Sequence, residues 1–82
     1  MIHNLEETIG LMTSLDYKDR FKAEFEQLCF RLNELDAFLI KWDKGELKTT
    51  PKTPREWLKR QRQAMADYGQ VLAARAIKEE IY

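Results

Sequence analysis

The chain has 82 residues, 34% of them charged, with only three glycines and two prolines, and its formal net charge is zero. That length suits a single domain with a thin core, and the scarcity of helix breakers points to long helices. Charge neutrality argues against a general polynucleotide binder, which gains affinity by neutralising many phosphates with excess Lys and Arg. A lone cysteine, Cys29, and a lone histidine, His3, give neither an internal disulfide nor the clustered ligands of a zinc site, so no metal and no cofactor is expected. No run approaches the ~18 apolar residues of a membrane span, and the first residues lack the basic-then-apolar pattern of a secretory signal; an intracellular protein without membrane partners is expected.

The first predicted element runs over about 4–12, with Leu5, Ile9 and Met12 at helical spacing, Asn4 placed to cap it and Glu6 and Glu7 in its first turn. Thr13, Ser14 and Asp16 then offer side-chain oxygens that break one helix and cap the next. The second helix is predicted over about 16–43. Its signal is the clearest in the chain: Phe21, Phe25, Leu28, Leu32, Leu35, Leu39 and Trp42 recur at spacings of four and three, forming one apolar stripe. Gly45 suits the position just past a helix end, and Gly45 to Thr53 reads as a connecting loop. Thr53-Pro54-Arg55-Glu56 predicts the start of a third helix over about 54–80, with Thr53 as cap, Pro54 at the first helical position and Glu56 closing a capping box.

Along that third helix Trp57, Leu58, Ala64, Met65, Tyr68, Val71, Leu72 and Ala76 follow a seven-residue pattern, with Gln61 and Arg75 as polar members of the face. It is expected to pair antiparallel with the second helix. Gly69 in mid-helix costs about 1 kcal/mol relative to Ala, and marks either a close approach or simple tolerance. Two helices cannot cover Phe30, Phe38 and Ile40, which lie off the main stripe of the second helix. Partner subunits are expected to cover them, the alternative being that the short first helix folds over Phe30 or Phe38. The fold class expected is therefore all-α: a short helix and an antiparallel two-helix hairpin in one domain over 1–82, assembled into a homo-oligomer.

Catalysis has little to stand on, because no phosphate loop, no paired carboxylates in an apolar surround and no His near Cys29 are present. An enzyme is not expected, and Cys29 reads as a packing residue. Charge is unevenly spread: Lys41 to Arg62 holds eight basic residues against three acidic ones, which suits a compact anionic partner better than a long nucleic acid. Tyr17, Arg20, Glu24, Arg31 and Phe38 form a second stripe mixing aromatic and basic groups. Arg offers phosphate a fork and Tyr offers a base its face. The plainer reading is a solvated flank in which Arg20 and Arg31 pair with Glu24 and Glu34. Arg62, Tyr68 and Arg75 admit the same two readings, and the basic loop around Lys48 and Lys52 is most simply a solvated tip.

The run from Tyr17 to Phe25, then Leu28, Arg31, Leu32, Leu35, Phe38, Leu39, Trp42, Gly45 and Leu47, followed by Thr53-Pro54, Leu58, Gln61, Met65, Tyr68, Leu72 and Arg75, resembles a helical-hairpin family common in bacteriophage genomes. That family is the anti-CBASS protein two group, similar also to a Thoeris anti-defence protein and to small proteins of crAss-like phages. The resemblance spans about 15–77. It implies a compact hexamer in the cytoplasm of the infected bacterial host that traps the cyclic oligonucleotides made by immune cyclases. The ligands implied are cyclic dinucleotides such as cGAMP and, in a separate pocket near a symmetry axis, cyclic trinucleotides. By resemblance Tyr17 is the stacking aromatic and Arg31 its basic partner, although a Lys often stands there in the family, while Arg62 and Arg75 would serve the second pocket. The loop between the helices is longer and more basic than in the shortest members. Two rival readings share the hairpin: a protein that binds a host protein through Phe30 and Phe38, and a trap for cyclic ADP-ribose type signals.

Overall fold

The computed structural model describes residues 5–82, and every described element is helical. A 3-10 turn over Leu5–Thr8 leads into a single α-helical turn, α1, at Ile9–Met12. Two long helices follow: α2 at Tyr17–Asp43, of 27 residues, and α3 at Arg55–Lys78, of 24 residues. Asn4, assigned above as a cap, lies outside the described residues.

Asp16 starts α2, its carboxylate accepting from the Lys18 amide at 2.9 Å. Such a cap satisfies one of the amides that the first helical turn leaves without a partner. At the other end Gly45 takes φ 70°, its amide donates to Trp42 O at 3.0 Å and the Glu46 amide donates to Lys41 O at 2.9 Å. This pair of bonds is the left-handed closure that glycine makes cheap. The start of α3 departs from the capping box read in the sequence. Pro54 occupies the cap position with no side-chain hydrogen bond, and Glu56 reaches forward to Lys59 at 3.8 Å. With Pro54 outside the helix, Glu56 falls only two residues after the cap, one short of the three-residue spacing a capping box uses.

Partners on α3 advance as those on α2 recede: Asp43 meets Arg55, Asp36 meets Arg62, Glu24 meets Tyr68 and Tyr17 meets Arg75. Between the helices Phe21, Leu28, Leu72, Ala76 and Ile81 form the buried cluster, with Phe25 and Met65 packed against it. Leu72 is fully buried. On α2 the stripe faces inward as its periodicity predicts. On α3 it divides. Leu58, Met65 and Leu72 turn towards the core, whereas Trp57, Ala64 and Val71, each one residue earlier, are exposed, Trp57 at 62%. One residue is a rotation of about 100° on a helix, so the two heptad lines cannot share a face.

The first element docks on α2. Gln27 Nε2 donates to Thr8 Oγ1 at 2.7 Å, and Thr8 Oγ1 donates to Leu5 O at 2.6 Å. Thr8 is fully buried, as is Ala23 one turn before Gln27. Phe30 and Phe38, expected to be left uncovered by the two long helices, are both half-buried, and Phe38 packs edge-on against Trp42 at 6.1 Å. Ile40 stays exposed. Gly69 marks no close approach within the chain, since a methyl there would meet Leu28 Cδ2 at an ordinary 3.7 Å.

Candidate functional site

A cleft of about 460 Å³ opens where the start of α2 meets the end of α3, within the size range of small-molecule sites. Its floor is apolar, made by Phe21 and Leu28 from the buried cluster, and Met12 of α1 closes one edge. The walls carry Tyr17, Arg20, Glu24, Gln27 and Arg31 from α2 and Tyr68 and Arg75 from α3. Helical spacing explains the assembly: Tyr17, Glu24 and Arg31 recur every seven residues, as do Arg20 and Gln27, so two adjacent lines of α2 look into one space.

Arg75 is the most firmly placed of these groups. Its Nη2 donates to the Tyr17 hydroxyl at 2.5 Å, its Nε donates to Glu79 at 3.2 Å, and its guanidinium lies 5.0 Å from the centroid of the Phe21 ring. The hydrogen bond to Glu79 raises its already high pKa further. A guanidinium braced on three sides keeps its geometry without a ligand, which reduces the ordering cost when one binds. Tyr17 in turn tilts over Phe21 with ring centroids 6.3 Å apart and remains 46% exposed.

Arg20 turns back to the α1–α2 junction, its Nη1 donating to Ser14 O at 2.9 Å, and Tyr68 donates its hydroxyl proton to Glu24. The ion pairs of Arg20 with Glu24 and of Arg31 with Glu34, which a solvated flank would form, do not occur among the described residues. Arg31 is exposed at the cleft's edge.

Of the four candidate residues, Tyr17, Arg31 and Arg75 line this one cleft, and Arg62 does not. Arg62 lies nearer the loop, where its Nε donates to Asp36 at 2.7 Å. Sequence reasoning had set Arg75 beside Arg62, apart from Tyr17; the antiparallel crossing of the helices puts it against Tyr17 instead. Gln27 and Met12 were missed. Gln27 had a signal in its seven-residue spacing from Arg20, but the approach of Met12 depends on a turn whose direction no periodicity sets.

Burial, then the nearby Glu26 carboxylate, push the Cys29 thiol above its ordinary pKa, which disfavours the thiolate that nucleophilic chemistry needs. Among the described residues no three His, Cys, Asp or Glu side chains gather as a metal site requires, and no helix is long and apolar enough to cross a membrane.

Fold and site together describe a small all-helical protein with a cleft that gathers arginines and tyrosines over an apolar floor. A family model, Sequestin, matches residues 15–78, and the chain belongs to the Sequestin family. Those residues take in both long helices and every cleft residue except Met12. The family's name denotes sequestration. No curated protein and no solved structure matches the chain.

Proposed function

We propose that the protein is a phage anti-defence sponge: a helical-hairpin subunit of a homo-oligomer, a hexamer by resemblance, that binds cyclic oligonucleotide immune signals in the host cytoplasm without cleaving them. The observation that carries this reading is the convergence of Tyr17, Arg31 and Arg75 on one cleft with an apolar floor. Aromatic faces hold bases by stacking, and arginines hold phosphates by charge-assisted hydrogen bonds. A cyclic dinucleotide presents both on one compact ring. Its release is slowed by binding alone, so a stoichiometric trap needs no general base, nucleophile or metal. Membership of a family named for sequestration supports the same reading.

Isothermal titration against cyclic dinucleotides, cyclic trinucleotides and cyclic ADP-ribose isomers, with the mass in solution measured alongside, tests this directly. Tight binding of a cyclic dinucleotide by an oligomer is expected, with the nucleotide recovered intact after heat denaturation. Tyr17→Ala should weaken that binding about tenfold or more, since base stacking on an aromatic contributes about 1–3 kcal/mol, and should leave the mass unchanged. Binding confined to cyclic ADP-ribose isomers would move the protein to another signalling system, a cleaved product would make it an enzyme, and no binding at all would defeat the sponge.

A further inference from the structure

We infer that Glu24 makes this cleft selective for guanine, an inference that rests on the cyclic-nucleotide reading above. A carboxylate is out of place in a cleft built to hold phosphates. It repels them, and it accepts hydrogen bonds without donating any. Yet Glu24 stands in mid-line between Tyr17 and Arg31, and among the described residues it makes no ion pair with the arginines around it. Its recorded partner is the Tyr68 hydroxyl, which donates to one carboxylate oxygen, Oε2. That contact occupies one of about four lone-pair positions, and among the described residues no other side chain bonds Oε1.

With phosphates steered to Arg31 and Arg75, the part of the ligand left for Glu24 is one that carries hydrogen-bond donors. Among the bases guanine alone presents two adjacent donors on its pairing edge, N1–H and the N2 amino group, matched to the two oxygens of a carboxylate. Adenine sets an acceptor, N1, beside its single amino donor, so a carboxylate meeting that edge gains one bond and suffers one repulsion. Cytosine and uracil likewise flank their donors with acceptors. Tyr17, one heptad before Glu24, supplies the face on which the same base stacks, so stacking and edge recognition come from one stripe of one helix.

The competing role for Glu24 is structural: the bond to Tyr68 ties α2 to α3, and the carboxylate does nothing else. The two roles separate in titrations of cyclic di-GMP and cyclic di-AMP into the full chain, carried out on the wild type, Glu24→Gln and Tyr68→Phe. Wild type is expected to favour cyclic di-GMP by about tenfold or more, as a well-formed bidentate contact to a base edge allows. Glu24→Gln, which offers one acceptor and one donor and so suits adenine's edge, should bring the two ligands close to parity or invert them. Tyr68→Phe, which removes the cross-helix bond but keeps the carboxylate, should retain the guanine preference. A wild type without that preference, a preference that survives Glu24→Gln, or one that collapses equally in Tyr68→Phe would each overturn the inference while leaving the sponge intact. Binding of neither nucleotide would overturn both.

Discussion

Towards the start of α2, Phe21 and Leu28 meet Leu72, Ala76 and Ile81 in the buried cluster, whereas towards the loop the helices are tied by two ion pairs, Asp36–Arg62 and Asp43–Arg55. Between Arg31 and Arg62 the one buried side chain among the described residues is Leu39. Apolar burial contributes about 25 cal/mol per Å² and is indifferent to orientation, while exposed ion pairs contribute about 0–1 kcal/mol each and are screened by salt. The end with the strong core is therefore the end with polar groups to spare. There Arg31 makes no ion pair among the described residues, and with Glu24 and Tyr17 it surrounds a cleft whose floor is the core itself. At the loop end Arg55 and Arg62 are already engaged.

Truncating the core should show the largest difference between the two ends. Leu72→Ala is expected to cost about 2–5 kcal/mol and to lower Tm by roughly 10 °C or more at fixed protein concentration, because the cavity it leaves is walled by Phe21 and Leu28 and collapses poorly. The same change should loosen the cleft floor and weaken the nucleotide binding proposed above. Leu39→Ala, outside that cluster, should cost less and leave affinity alone. Equal losses in thermal melts of the two variants would mean that the ends are not distinguished by their packing.

Charge at the loop end provides a smaller effect. Arg62→Ala is expected to lower stability by about 1 kcal/mol or less, with the deficit shrinking as salt is raised, since both members of the pair with Asp36 are more than a third exposed. Nucleotide affinity should not change. If titration instead shows a loss comparable to that of Tyr17→Ala, the binding surface extends down the helices to Arg62 and an oligomeric partner must bring it within reach.

The inward stripe of α2 was legible because seven apolar residues at alternating spacings of four and three admit one amphipathic helix and little else, and Gly45 was legible as its end because a left-handed residue there favours glycine. The apolar pattern of α3 was ambiguous. Trp57 and Leu58 begin two adjacent heptad lines, and which line faces α2 is set by the packing rotation of one helix on the other. The cleft was half legible for a related reason. Tyr17 and Arg31 share a line on one helix, but their meeting with Arg75 rather than Arg62 depends on the length and direction of the loop between the helices. Local patterns also gave Arg20 and Arg31 the plain role of partners for Glu24 and Glu34. The hydroxyl of Tyr68, 44 residues away in sequence from Glu24, took that carboxylate instead.

The two helix ends close with the same hydrogen bonds but different residues, which supplies the finest contrast. After α2 the left-handed position is Gly45, φ 70°; after α3 it is Glu80, φ 55°, with its amide donating to Ile77 O at 3.3 Å and the Ile81 amide donating to Ala76 O at 3.0 Å. A side chain in that region of backbone space costs roughly 1–2 kcal/mol. Glu80 tolerates it because the next residue, Ile81, is buried in the core cluster, whereas Glu46 after Gly45 is exposed and contributes no such contact. Gly45→Ala should therefore cost about 1 kcal/mol. Glu80→Gly should gain about 0.5 kcal/mol, the relief of strain being partly offset by the greater freedom of glycine in the unfolded chain. Urea titration resolves differences of this size when the slopes agree. The Glu80 carbonyl that accepts from Lys18 Nζ at 3.4 Å survives the change to glycine, so a destabilised Glu80→Gly would mean that the exposed Glu80 carboxylate holds the tail of the chain in place and that burial of Ile81 follows from it.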